Sequence, residues 1–533
     1  MRKILLILLL FLMTVIPASA TNYYVRTDGN NACNGLYNNG GSSGNCAWRN
    51  IDYAADSARP VTAGDTVYVG SGEYNEDVTF DKSGTAGNYI TFVSQTKYGA
   101  IIDGTGAGIG NTWGSGVVII NNKDYINISG FEIRDSPYWG IGVHGGSSYI
   151  TIHNNYIHAT ASSGILADGM DHLTVSYNNM TNVQTLAGGI GQDNEGFSLI
   201  NVNTFNIEHN IMWDQANFET IDVKFNSIWG DIHSNDISGC HSACIYLDAY
   251  GGEEYENNVY HNWLHDSAEA SARGIAIAAE STGGNIHDID IFNNFIDDMG
   301  AEGIDIAHYS VGPVNNIIIN SNTINRGGQV SSWGGGFRCG YASATNVHFR
   351  NNIVSNSLNY QIRVDGSCGA TVTNNLIYSY LGYSGETRGT YYVEGNPQFT
   401  GTGEPPFRLT SGSPARDAGT ATEAPTTDYF GIARPQGSGY DIGAAEFEGS
   451  VPTPTPQPTT TPPGGFSIDT RRVAGYTVWG YELYLADIRS LIDALWVTAH
   501  HLQVDDLAGT GDSAFVCTDS SGTVFRKSTP CSQ

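Results

Sequence analysis

The stretch ITIHNNYI, residues 150–157, decides how the rest of the chain is read. Ile150, Ile152 and Ile157 alternate with polar or turn-forming residues, a period of two that suits a half-buried strand and not a helix. Near its end stands Asn155, with Ile152 three positions before it and Ile157 two after it. The same arrangement returns at Asn178, Asn210, Asn235, Asn262, Asn294, Asn322, Asn352 and Asn375, in steps of 23, 32, 25, 27, 32, 28, 30 and 23 residues. All eighteen flanking positions are apolar in a chain that is 40% hydrophobic, which excludes chance. An irregular repeat of this length, built from short strands, marks a solenoid in which each turn adds one rung to every sheet.

A second strand recurs between these asparagines, with one copy before the first: GIGV at Gly140, GILA at Gly164, TIDV at Thr220, CIYL at Cys244, GIAI at Gly274, GIDI at Gly303 and QIRV at Gln361. Gly and Asn dominate the breaks between runs, as tight corners with positive φ require. An inward Asn at each corner can bond the same Asn one rung along, so these nine residues read as structural. No 3.6-residue period of useful length occurs before residue 480. In these features the chain resembles the secreted right-handed parallel β-helix proteins of the pectate-lyase-like superfamily, over about residues 23–448. The resemblance implies an all-β, right-handed parallel β-helix. Lyases, hydrolases, adhesins and phage tailspikes share that fold, so it implies little about activity.

Residues 1–20 read as an export signal: Arg2 and Lys3, an apolar run from Ile4 to Ile16, then Ala-Ser-Ala before Thr21. Residues 21–104 read as an N-terminal cap and first coils, with a short capping helix near 50–57, and 105–395 as the β-helix with its Asn ladder. Residues 396–450 read as a closing segment that shields the last rung from edge pairing. VPTPTPQPTTTPPGG at 451–465 is a stiff Pro/Thr linker. It leads to a small α+β module at 466–533, with a helical face from Tyr481 and a β segment around Cys517, suited to docking on a cell surface or assembly. Eight cysteines in an exported chain point to disulfides, and proximity favours Cys33–Cys46, Cys240–Cys244 and Cys517–Cys531, leaving Cys339–Cys368. A net charge of −29 with 24 Lys and Arg excludes nucleic acid as a partner. No second segment is long and apolar enough to insert in a membrane. The partner expected is a polysaccharide met outside the cell or at its surface.

Counting from the inward Ile of each second strand (Ile141, Ile165, Ile190, Ile221, Ile245, Ile275, Ile304, Phe337, Ile362), residues one and three positions on share the outer face. The +3 column then reads His144, Asp168, Asp193, Lys224, Asp248, Ala278, Ala307, Gly340, Asp365. The +1 column includes Asp222, Tyr246, Asp305, Arg338 and Arg363. One reading is glycoside hydrolysis with no cofactor. Asp248 in CIYLDAY and Glu280 in GIAIAAES form the carboxylate pair, and Lys224 beside Asp248 keeps it ionised while Glu280 holds the acid's proton. IYLDAY followed by IAIAAESTGG resembles the catalytic rungs of β-helical β-xylosidases. That resemblance implies Asp248 as nucleophile and Glu280 as acid/base, although the text around them differs. Asp222, Glu219, Asp193, Asp168, His144 and Tyr246 would bind substrate.

The alternative is a lyase. ETIDVK at 219–224 resembles the Glu-x-x-x-x-Lys region of calcium-dependent β-helix lyases, which implies Lys224 as base and Ca²⁺ held by Asp168, Asp193 and Asp222. Arg338 and Arg363 are read as the nearest arginines, four or more rungs away. A third reading is a non-catalytic adhesive surface protein binding glycan through aromatics such as Tyr138, Trp139, Tyr246 and Tyr250.

Overall fold

The computed structural model describes residues 20–185 and 195–448, together with five short strands beyond them. The leader expected at 1–20 falls, but for Ala20, outside these residues, as do the 451–465 linker and the Cys517–Cys531 pairing. The chain divides into two compact units, Met1–Val451 and Pro452–Gln533. In the second, Ser513–Thr518 pairs antiparallel with both Leu502–Asp505 and Val524–Lys527. Tyr481–Leu483, expected to open a helix, instead pairs antiparallel with Tyr476–Val478. Antiparallel strand pairing there overrides a weak helical period. The remainder of that expected helix lies outside the described residues.

The first unit is a solenoid of parallel strands. One sheet contains Trp139–His144, Ile221–Lys224, Ala243–Asp248 and Arg273–Ala278. A second contains Ser148–His153, Ile228–His233, Asn258–Tyr260 and Asn285–Phe292. The third has 13 strands, from Gly72–Tyr74 to Val393–Glu394. The first two join where Ile165–Ser176 and Phe197–Glu208 run unbroken through the corner between them. All eighteen apolar residues flanking the ladder asparagines are buried. Near the N-terminus a single helical turn, Ile51–Ala55, lies against the first rungs. The Glu76 carboxylate caps it, accepting the Ile51 and Asp52 N–H groups at 2.9 and 3.1 Å.

The nine asparagines are at most 1% exposed and form one continuous ladder. Asn262 shows the pattern. Its Oδ1 accepts the backbone N–H and side-chain amide of Asn235 at 3.1 and 3.0 Å, and its own amide donates to Ile232 O at 2.8 Å and Asn294 Oδ1 at 3.0 Å. Every polar atom of the buried amide is thereby used. The residue immediately before each ladder Asn has positive φ: Asn154, Tyr177, His209, Ser234, His261, Asn293, Ser321, Asn351 and Asn374. The sequence suggested Gly and Asn for such corners, yet Tyr177, His209 and His261 hold three of them. A left-handed non-Gly residue costs on the order of 1–2 kcal/mol, and the ladder bonds made one residue later offset it.

Cys33–Cys46 and Cys240–Cys244 are disulfides, as proximity suggested, and so is Cys339–Cys368, the pair left over. Among the described residues no helix is long and apolar enough to cross a membrane. The closing segment does more than cover an end. It runs back along the corner between the second and third sheets, where Asn293, Asn320 and Asn351 donate to the carbonyls of Thr427, Thr422 and Thr420. Arg434, fully buried, pairs with Glu446 at 2.7 Å and reaches Asn293 Oδ1 at 3.3 Å. Phe295 packs against Phe407 and Tyr429 beside it.

Asn262→Ala leaves the buried Asn235 N–H and Ile232 carbonyl without their ladder partners. It is expected to lower stability by roughly 2–3 kcal/mol, read by urea denaturation. A loss below about 0.5 kcal/mol would mean the ladder does not stabilise the coil.

Candidate functional site

Strand register on the first sheet places the charged residues. Ile221–Lys224 pairs with Ile245–Asp248, setting Asp222 beside Tyr246 and Lys224 beside Asp248. On the next rung Tyr246 adjoins Ala276 and Asp248 adjoins Ala278, so Glu280 lies two residues beyond. Asp305, Arg338 and Arg363 continue the Asp222 column.

Three expectations change. The rung between Ile165 and Ile221 starts at Phe197, not Ile190. Ile200 therefore stands between Asp168 and Lys224, and Asp193 lies outside the described residues. The longer alternating run FSLINV wins the rung over the short Gly-Ile-Gly text. His144 and Asp168 pair with each other, three and two rungs from Lys224. His144 packs there against Trp113 and Trp139 and takes no part in the acidic cluster. Finally, this outer face is not a solvated ladder: Asp222, Lys224 and Asp248 are 2%, 8% and 6% exposed.

Lys224 is ion-paired with Glu195 at 2.5 Å and Asp222 at 3.2 Å. The second Glu195 oxygen accepts the Ser198 hydroxyl, and Glu219 accepts the Ser242 hydroxyl at 2.8 Å. Oxygens of Glu195, Glu219 and Asp222 lie within 4.8 Å of one another, and Asp222 Oδ1 is buried with no hydrogen-bond partner. Burial works against the Lys224 ammonium, but Asp222 and Glu195 outweigh it and raise its pKa. One ammonium cannot neutralise three carboxylates. Burial first, then the neighbouring acids, pushes Glu219 up and Asp222 well up. Such hard oxygen donors with charge in excess suit a divalent cation.

Asp248 is pushed up to about 8, by burial first and then by the charge of Glu280, with Lys224 too weak an opponent to reverse it. The Lys224 amine is committed to Glu195 and Asp222, so it does not hold Asp248 low as the sequence reading expected. Asp248 Oδ1 has no hydrogen-bond partner. Glu280 is exposed and accepts the Tyr246 hydroxyl, which lies 3.3 Å from that of Tyr309.

Further along the same face, Arg273 pairs with Glu302 and Asp305 at 3.3 and 3.2 Å. Arg338 pairs with Asp365 at 2.9 Å, and Tyr360 donates to Glu302 at 3.0 Å. Arg273 shares the strand of Ala276, two rungs from Lys224, so a nearer arginine exists than the two first considered. Glu195, Arg273 and Glu302 escaped the column count because they stand two positions before the inward origin. Glu195, Glu219, Ala243, Arg273 and Glu302 form that column, and extending the count backwards across each corner would have found them.

A family model described as "Right handed beta helix region" matches residues 219–377. No curated protein matches the sequence. Among solved structures the chain is similar to pectate lyase Pel9A, at 17% identity and TM-score 0.46 over 81% of this chain and 97% of that one. It is similar to XylC in complex with xylose, at 12% identity and TM-score 0.46 over 80% and 98%. A GH136 lacto-N-biosidase from Eubacterium ramulus is 12% identical with TM-score 0.44 over 67% and 68%. The match over residues 219–377 agrees with the sheet registers, which show the first unit to have the right-handed parallel β-helix fold.

Proposed function

We propose that the chain hydrolyses glycosidic bonds of a polysaccharide outside the cell, with Asp248 as general acid and Glu280 as the carboxylate acting as nucleophile or base. The observation carrying this reading is a pair of carboxyls on adjacent rungs in opposite environments. Asp248 is buried, raised to about 8 and short of a partner for one oxygen; Glu280 is exposed and held by Tyr246. Glycoside hydrolysis needs one carboxyl to give a proton to the leaving oxygen while the other supplies negative charge at the sugar carbon or activates water. Tyr246 holds Glu280 and is itself within reach of the Tyr309 hydroxyl. Three disulfides suit an oxidising compartment.

A calcium-dependent lyase is the second reading, favoured by the Glu195, Glu219 and Asp222 oxygens. A cation held there would neutralise a uronate carboxylate. Lys224 would have to act as base, and its ion pairs hold it protonated.

Incubation with neutral and acidic glycans, with and without EDTA, is expected to release reducing ends without the ultraviolet absorbance of unsaturated uronate, and EDTA should not matter. EDTA-sensitive absorbance would establish the lyase instead, and neither product would leave a binding protein. Asp248→Asn and Glu280→Gln are each expected to reduce kcat/KM by at least about 10³-fold; retained turnover in both variants removes the hydrolase. The pH dependence has a definite sign. The folded-state pKa of Asp248, about 8, exceeds its ordinary 3.8, so its stability contribution is complete below 3.8 and is lost as pH rises through about 8. Asp248→Asn is expected to flatten that part of the stability profile, and wild-type kcat/KM to decline as the acid ionises near the same pH. Parallel profiles for wild type and variant in urea denaturation would contradict the protonated Asp248.

A further inference from the structure

A different face of the solenoid carries features that the hydrolytic site does not use. On the outside of the second sheet, Asp231, Asn258, Asp290 and Ile318 occupy one position in four successive rungs. To one side of this floor runs a stack of rings: His233 on Tyr260 at 4.7 Å and Tyr260 on Phe292 at 4.9 Å, with planes within 10° of parallel. The other side is the left-handed corner holding Trp229, Glu256, Asp288 and Asn316. Over the floor and against that corner lies a groove of 470 Å³. A second hollow of 390 Å³ shares Asp290 and Ile318 with it and continues past Phe292 to Glu423 and Pro425 of the closing segment.

The rim and floor have different chemistry. Trp229 is 47% exposed at the mouth, braced edge-on by Tyr255 at 5.9 Å. An exposed indole held by a second ring presents a rigid apolar plate at low entropic cost, which suits the C–H face of a pyranose. The floor offers acceptors. Asp231 takes the Asn258 amide at 2.9 Å, while Asp290 and Glu256 bond no other side chain among the described residues. Four carboxylates line the main groove and no Lys, Arg or His does, so a polyuronate is repelled while hydroxyl and ammonium donors are drawn in.

We propose that this groove is a second, non-catalytic glycan-binding site for an amine-bearing oligosaccharide lying along the solenoid axis. Its aromatic plate is Trp229, and its carboxylates on three successive turns are Asp231, Glu256 and Asp290. Rungs repeat about every 4.8 Å, so one sugar unit spans about one rung and the ammonium groups meet carboxylates in successive turns. The inference is independent of the hydrolase assignment, because it uses a separate sheet face.

The test uses the full-length chain carrying Asp248→Asn, so that nothing is turned over, and titrates oligomers of glucosamine by calorimetry. Binding is expected, weakened at least tenfold by Trp229→Ala and again by Asp290→Asn, with the melting temperature of each variant unchanged. N-acetylated oligomers and oligogalacturonate are expected to bind at least tenfold more weakly. Equal binding of oligogalacturonate overturns the proposal, as does affinity unaffected by Trp229→Ala. Oligolysine binding as tightly as the sugar, insensitive to Trp229→Ala, would show a charge effect alone and overturn it too. Loss of binding on Glu280→Gln would place the ligand at the first-sheet site and reject the groove, while leaving hydrolysis untouched.

Discussion

Everything in this molecule depends on buried amides stacking in register along the axis. A parallel coil has no hairpins to fix its alignment, and a slip of one residue would turn every inward side chain outward. The Asn155 to Asn375 ladder removes that freedom, because each amide must meet the next at hydrogen-bond distance. Apolar burial at the two flanking positions then makes the correct register also the one with a filled core. The left-handed residue before each Asn is tolerated on the same account.

The same stacking creates the chemistry. Residues far apart in the chain come to lie in one file, and a file of acids under burial cannot all be ionised. Around Lys224 burial, and then the neighbouring acids, leaves Glu219 and Asp222 raised. At Asp248 burial, and then the charge of Glu280, raises the carboxyl to about 8. A few rungs on, Arg273 and Arg338 balance Glu302, Asp305 and Asp365 more evenly, although buried Asp305 still sits at about 7. The first sheet thus passes from an acid-rich stretch to a nearly compensated one within a handful of turns.

Most of the coil was legible in the sequence, since its period-two text and repeated Asn are local signals with a direct structural cause. What failed was non-local. Ile190 looked like a rung because its triplet has the right residues, but only the neighbouring strands decide that Phe197 aligns with Ile165 and Ile221. Glu195 and Arg273 escaped because a count that starts at the strand misses side chains projecting from the corner. Burial of the outer face was invisible to parity, which tells in from out and not wet from dry. Burial and the charge of Glu280, neither of which parity carries, are what raise Asp248.

The lateral path of residues 420–446 has a mechanical consequence. In a simple solenoid each turn touches only its neighbours, so the terminal turns fray first and independently. Here a strap fastened at Asn293, Asn320 and Asn351 crosses three consecutive turns. Those turns are obliged to open as one cooperative block, and the weak free end of the spring becomes a clamped one.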